Sequence, residues 1–104
     1  MPARTLRFRP RAVDDLAEIH AYTVETWSLD KADDYLRMIN RRLRAAATGD
    51  VPLRVMDDEF NFVVVGQHIA FVRRSGEDDL DVVRVLHRMV DVARHIERDR
   101  RDRS

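Results

Sequence analysis

The side chains with the clearest capacity for chemistry are concentrated in the last quarter of the chain. Residues 82–104 carry seven arginines against four acids. The basic side chains at the start of this segment form a candidate set: Arg84, His87, Arg88, Arg94 and His95. Cleavage of RNA needs a base for the 2′-hydroxyl, cations for the phosphate and an acid for the leaving group. The set could supply part of that machinery, pair with acidic side chains of a partner protein, or form ion pairs within the molecule.

The remaining histidines and the aromatic residues form no recognisable cofactor or metal motif. The chain has four histidines, and their spacings are not those of metal ligands. His68 and His87 come close together if their strands pair, but two ligands without a third do not make a metal site. No glycine-rich phosphate loop is present, so we expect neither a metal nor a cofactor. Trp27 is predicted to lie in the core near the tip of a helical hairpin, with Tyr35 in the following helix.

The composition limits the class of protein. A chain of 104 residues corresponds to a single domain, residues 1–104. Its 19 basic residues balance 19 acidic ones, which argues against bulk binding to nucleic acid. Cysteine is absent, which excludes a disulfide scaffold, a thiolate zinc site and a cysteine nucleophile. No apolar run approaches the ~20 residues of a membrane helix, and no signal peptide is visible. We therefore expect a cytoplasmic protein that binds no membrane.

Hydrophobic periodicity predicts the elements that position these residues. Residues 3–9 alternate as a strand, and two amphipathic helices follow at 10–27 and 28–48, joined closely enough to fold back as a hairpin. The period then changes to two. The later elements are strands at 60–65, 68–74 and 80–87, a possible short helix at 91–100 and a frayed tail at 98–104. This order, β-α-α-β-β-β, predicts an α+β fold in which the helical hairpin covers one face of a small, mainly antiparallel sheet.

Two of the predicted strands, 60–65 and 80–87, are apolar on both faces. In residues 80–87, strict alternation places Leu80, Val82 and Leu86 on one face and Val83 and Val85 on the other. A sheet that is apolar on both sides needs a cover on both sides. Because the helical hairpin covers only one face, we expect the other to leave an apolar patch for a partner. The alternative is that the connector at 51–59 and the C-terminal segment cover it.

The order of these motifs resembles that of ParE-type toxins in the RelE/ParE superfamily, over about residues 4–96. The matching stretches lie in the opening of the chain, the second helix, the central hairpin, the last strand and the turn after it. They are Arg9-Pro10-Arg11-Ala12 with Asp15-Leu16, Ile19, Tyr22 and Trp27; Ala32 and Tyr35; Val65-Gly66-Gln67-His68-Ile69-Ala70-Phe71; Val83-Arg84-Val85-Leu86-His87; and Asp91 with Arg94-His95.

The resemblance implies the toxin of a type II toxin–antitoxin module, with a RelE/ParE-like fold and a ParD-like antitoxin bound in a hetero-oligomer. ParE-like toxins are understood to poison DNA gyrase by binding, while RelE-like relatives cut messenger RNA on the ribosome. Here Met89-Val90 replaces a second arginine expected by comparison with those ribonucleases, and Ala93 stands where a catalytic tyrosine would be. The resemblance therefore favours a binding inhibitor over an enzyme. An RNase and a non-toxic homologue that only binds an antitoxin remain the alternatives.

The site residues divide accordingly. The candidates for contact with the antitoxin are Arg84, Arg88, Arg94, Val83 and Val85. The candidates for contact with the target are His87 and His95.

Overall fold

The computed structural model describes residues 4–89 and confirms the predicted α+β architecture. Two helices precede most of a five-stranded sheet whose order is β1-β5-β4-β3-β2. Neighbouring strands are antiparallel except for β1 and β5, which run parallel. The elements are β1 (Thr5–Phe8), α1 (Pro10–Thr26), α2 (Leu29–Thr48), β2 (Arg54–Val55), β3 (Asn61–Val65), β4 (His68–Ser75) and β5 (Asp79–His87). The predicted helix at 91–100, the tail at 98–104, Arg94 and His95 lie outside the described residues.

Local sequence signals set the ends of the two helices. Pro10 occupies the first turn of α1, where its missing N–H costs no hydrogen bond. Ser28 caps α2, accepting a hydrogen bond from the Lys31 backbone N–H at 3.1 Å. Gly49 ends α2 in the left-handed conformation, with φ of +91°. Because only two residues separate the helices, they fold back into the predicted hairpin.

The two edge strands of the sheet are held by pairings that the hydrophobic periodicity of the sequence did not predict. The two residues of β2 pair with β3, and a strand this short carries no period from which it could be predicted. At the other edge, β1 lies beside β5, where Arg7 donates to the buried carboxylate of Asp81 at 2.9 Å. This ion pair attaches the N-terminal strand to the last strand.

The sheet has an inner face against the helices and an outer face, and each buries an apolar cluster. Strict alternation assigned Val85 and Leu86 to the wrong faces: Val85 packs with Leu80 and Val82 in the inner cluster, and Leu86 packs with Val83 in the outer one. The cause is an irregularity in the β4–β5 register, in which Val83 has no opposing residue on β4. An extra residue in one strand reverses the alternation beyond it.

The outer cluster is buried, so the prediction of an open apolar patch is wrong for its central side chains. Phe60 is 0% exposed, and Phe71, Val83 and Leu86 are also buried. Met56, from the connector, packs against this cluster, as the alternative interpretation expected. Among the helices that the structure describes, none is long and apolar enough to cross a membrane.

Candidate functional site: the α1 groove

A groove of about 550 Å³ runs between α1 and the ends of β4 and β5 that lie nearest the β3–β4 turn. We call it the α1 groove. Its walls combine one face of α1 with side chains from α2 and from the two strands. The residues that line it are Asp15, Glu18, Ile19, Tyr22, Thr23, Trp27, Tyr35, Gln67, His68, Arg84, Val85, Leu86 and His87.

The helical wall of the groove presents two exposed aromatic side chains. Trp27 is 70% exposed and Tyr22 is 67% exposed. The prediction that Trp27 lies in the core is therefore wrong. The buried stripe of α1 contains Ala12 and Ile19, and the helix ends at Thr26, so the non-helical backbone of Trp27 takes its side chain off that stripe. Exposed aromatic residues beside a concave surface are typical of protein-binding sites.

A nearly buried ion pair joins α1 to β5 at the floor of the groove. Asp15 receives hydrogen bonds from Nε and Nη2 of Arg84 at 2.8 and 3.0 Å, and a third from the Val85 backbone N–H at 2.9 Å. The side chains of Asp15 and Arg84 are 10% and 13% exposed. The guanidinium is therefore used to hold the groove together, which is the intramolecular alternative left open by the sequence.

A tyrosine and two histidines form the opposite end of the groove. The hydroxyl of Tyr35 lies 2.7 Å from Nδ1 of His68 and accepts a hydrogen bond from the Gln67 backbone N–H at 2.9 Å. The ring of His68 meets that of His87 edge to face, with 5.3 Å between centroids. His68 and His87 face each other across β4 and β5, which confirms that pairing of their strands brings them together.

The surroundings of this cluster change its proton affinities. Burial lowers the pKa of His68 below its usual value, the neighbouring His87 lowers it further, and Asp15 opposes them. Burial also raises the pKa of Tyr35, against the hydrogen bond from Gln67. A neutral imidazole beside a neutral phenol is the favoured state at neutral pH.

Close packing at the β3–β4 turn keeps Tyr35 in place. Gly66 has a φ of +66°, and a Cβ built on it would lie 2.8 Å from Cε of Met38 and 2.9 Å from the Tyr35 hydroxyl oxygen. Only glycine accommodates both the backbone conformation and this close approach. The turn, α2 and the histidines are thereby fixed relative to one another.

The structure separates the predicted site residues. His87 lies in the groove, and Arg88 is exposed just beyond β5. Val83 and Val85 are both buried, on opposite faces of the sheet. Asp15 was not predictable as a site residue, because an acid early in a helix is explained equally well by the helix dipole.

The groove's chemistry suits binding. Among residues 4–89, no three histidine, aspartate or glutamate side chains are placed to hold a metal ion. The guanidinium that could hold a phosphate is already paired with Asp15. What the groove offers to a ligand is exposed aromatic surface and imidazole edges.

Comparison with known proteins assigns the chain to a family. The family described as the ParE toxin of the type II toxin–antitoxin system, parDE, matches residues 6–92. Toxin ParE1 of Mycobacterium tuberculosis, from strains CDC 1551 / Oshkosh and ATCC 25618 / H37Rv, is 36% identical over 90 residues, covering 84% of this chain and 92% of the relative. A solved structure described as the chromosomal ParDE TA system from P. aeruginosa has the same fold, with a TM-score of 0.71 at 14% identity over 82% of this chain and 96% of that chain. The chain belongs to the ParE toxin family of type II toxin–antitoxin systems.

Proposed function

We propose that this ParE-family toxin inhibits DNA gyrase by binding to it, without catalysis, and that a ParD-like antitoxin neutralises it. The observation that carries the proposal is the α1 groove, in which the Asp15–Arg84 ion pair and the Tyr35 hydroxyl hold the walls together while the aromatic side chains of Tyr22 and Trp27 are exposed. A surface of this kind fits capture of a protein partner. Because gyrase acts on chromosomal DNA, the proposal places the toxin in the cytoplasm.

The groove is a poor match for hydrolysis of RNA. A ribonuclease needs a cation placed to stabilise the charge that develops on the phosphate. Arg84, the groove's guanidinium, donates through Nε and Nη2 to Asp15. Nδ1 of His68 lies at hydrogen-bond distance from the Tyr35 hydroxyl. The Nε and Nη2 donors of Arg84 and the Nδ1 atom of His68 are therefore engaged in the fold.

Of the two arginines expected to contact the antitoxin, we propose Arg88 in preference to Arg84, since Arg84 is paired with Asp15. Arg88 is exposed at the end of β5, where its backbone N–H bonds to the Gln67 carbonyl at 3.0 Å. Arg88→Glu should weaken the antitoxin complex by roughly 2–5 kcal/mol if an acidic partner residue covers it. Isothermal titration calorimetry measures the change, and a dissociation constant equal to that of the wild type would place Arg88 outside the interface.

The test of the mechanism compares two purified assays on the same preparation. We expect the wild type to inhibit supercoiling by gyrase and to leave messenger RNA intact on purified ribosomes. His87→Gln should weaken the inhibition of gyrase and remain silent on ribosomes. His20→Gln is the matched control, since His20 bonds to Asp33 between the helices and does not line the groove.

One observation favours the RNase alternative: the structure brings Tyr35, His68 and His87 together in one groove. An acid–base pair contributes about 10²–10⁴ in rate. Cleavage of messenger RNA at defined codons by the wild type, lost in His87→Gln and kept in His20→Gln, would establish that alternative. Absence of both gyrase inhibition and cleavage would leave a protein that only binds its antitoxin.

A further inference from the structure

We propose that His68 and His87 form a subsite in the α1 groove that binds the carboxylate of an aspartate or glutamate side chain from the antitoxin. The identity of the partner rests on the proposed function; the carboxylate chemistry rests on the hydrogen bonds that the two imidazoles make.

The hydrogen bonds at Nδ1 determine which nitrogen of each imidazole carries the proton. The Tyr35 hydroxyl accepts from Gln67, and its own proton has two acceptors within reach: Nδ1 of His68 at 2.7 Å and the Val65 carbonyl oxygen at 3.4 Å. We infer that the Tyr35 hydroxyl donates to His68, because 2.7 Å is the usual length of a hydrogen bond donated by O–H and is short for one donated by N–H. In His87, Nδ1 accepts from the Met89 backbone N–H at 3.2 Å. A neutral imidazole that accepts at Nδ1 carries its proton on Nε2.

The two Nε2–H groups are accessible to a ligand in the groove. Within residues 4–89, neither Nε2 atom has a hydrogen-bond partner from the protein, and the buried side-chain polar atom left unpartnered is Nε of Arg4. Both histidines line the groove, and His87 is exposed. The imidazole pair therefore offers the groove two donors and no acceptor, which selects a ligand that accepts hydrogen bonds.

The charges around the pair favour a single carboxylate over a phosphate. The titratable and charged groups that line the groove with His68 are Asp15, Glu18 and Tyr22 on α1, Tyr35 on α2, and Arg84 and His87 on β5. Of these, His87 and Asp15 act on the charge of His68. Asp15 is neutralised by Arg84, whereas Glu18 is exposed. A doubly charged phosphate would face these acids with no further cation in this set. The single negative charge of a carboxylate is balanced when the histidine pair takes up one additional proton.

The exposed aromatic wall suits the rest of such a ligand. Tyr22 and Trp27 can cover the apolar part of a peptide segment whose acidic side chain reaches the histidines. A chain with zero net charge offers little counterion release to a nucleic acid, which favours a protein as the source of the carboxylate.

The subsite couples binding to pH in a definite direction. A bound carboxylate raises the pKa of His68 above its value in the free protein. The complex therefore takes up protons, and its affinity rises as pH falls through the histidine range. A neutral ligand of the same shape lacks this dependence.

The first experiment tests the carboxylate alone with acetate, using NMR of the histidine rings in the complete chain. We expect acetate to shift the ring signals of His68 and His87 and to raise the pKa of His68, with Nε2–H tautomers in the free protein. His20 is the internal control and should not respond. Acetamide tests the charge, and inorganic phosphate tests the alternative anion. An equal response of His20, no response at all, or a stronger response to phosphate than to acetate would overturn the proposal.

The second experiment tests the source of the carboxylate with the toxin's own antitoxin. His68→Gln should weaken the complex by about 10-fold or more at about pH 6, and by less at about pH 8. His20→Gln should match the wild type at both. A complex unaffected by His68→Gln would overturn the antitoxin as the source while leaving the proposed function intact. If no complex forms, the proposed partner fails, and the acetate experiment still decides whether the subsite exists.

Discussion

Removal of the Asp15 carboxylate is the most direct test of how the α1 groove is built. Asp15→Ala would remove the carboxylate that pairs with the nearly buried Arg84 and accepts from the Val85 backbone N–H. Breaking a buried ion pair by removing one partner costs about 3–5 kcal/mol. For a domain of about 100 residues each kcal/mol lowers Tm by roughly 4 °C or more, so Tm should fall by at least about 12 °C.

Denaturant unfolding followed by far-UV circular dichroism measures this change. Asp14→Ala is the matched control, because Asp14 is the neighbouring acid of α1 and is exposed; its substitution should change the free energy of unfolding by less than about 0.5 kcal/mol. The double variant Asp15→Ala with Arg84→Met should lose less stability than the sum of the two single variants, by about 2 kcal/mol.

Two results would refute this reasoning. An Asp15→Ala variant within about 1 kcal/mol of the wild type would mean that water or another group replaces the carboxylate at little cost. Additive single and double variants would mean that Asp15 and Arg84 are not energetically coupled. In either case Arg84 would again be a candidate for contact with the antitoxin.

Three further predictions follow from the groove and its turn. Gly66→Ala should destabilise the fold by more than about 2 kcal/mol, whereas Gly76→Ala should cost about 1 kcal/mol, because Gly76 has φ of +69° but open space around it. Thermal unfolding of both variants separates the steric cost from the backbone cost. Trp27→Ala should change the unfolding free energy by less than about 0.5 kcal/mol, and a loss of about 3–5 kcal/mol would instead indicate a core residue. The pKa of His68 is lowered in the folded protein, so the unfolded chain binds its proton more readily. The wild type should therefore lose stability relative to His68→Gln as pH falls below about 6.5. Denaturant titrations at several pH values measure this, and the opposite trend would contradict it.

The elements of the fold were predictable because their determinants are local. Pro10 and Ser28 mark helix starts, Gly49 marks a helix end, and Gly66 marks a turn, each acting within a few residues of its own position. The change of period from helical to alternating then separates the helical hairpin from the strands. Even the approach of His68 to a second histidine followed from pairing two strands that the sequence already indicated.

The predictions that failed depended on contacts between distant segments. The predicted faces of Val85 and Leu86 were wrong because of an irregularity in the β4–β5 register. No residue type in β5 indicates that irregularity. Trp27 was expected in the core because it continues the helical spacing of α1, but the helix ends one residue before it. Two-residue β2 exists only because β3 lies beside it.

The candidate site was less predictable than the fold for the same reason. Asp15 and Arg84 are 69 positions apart in sequence, and each has an adequate local explanation as a helix acid and a strand cation. Tyr35 reaches His68 across 33 positions. Pairs like these are identified only when the elements are packed together.

The same contacts that disfavour hydrolysis prepare the groove for binding. A catalytic site must leave its polar groups available to the reacting atoms. Here the carboxylate of Asp15 and the guanidinium of Arg84 hold α1 against β5, and the Tyr35 hydroxyl holds α2 against the β3–β4 turn. A groove whose walls are fixed in this way loses little conformational entropy when a partner docks. The groove then presents the exposed aromatic surface at Trp27 and the imidazole edges of His68 and His87, the groups to which we assign recognition of the partner in our proposal.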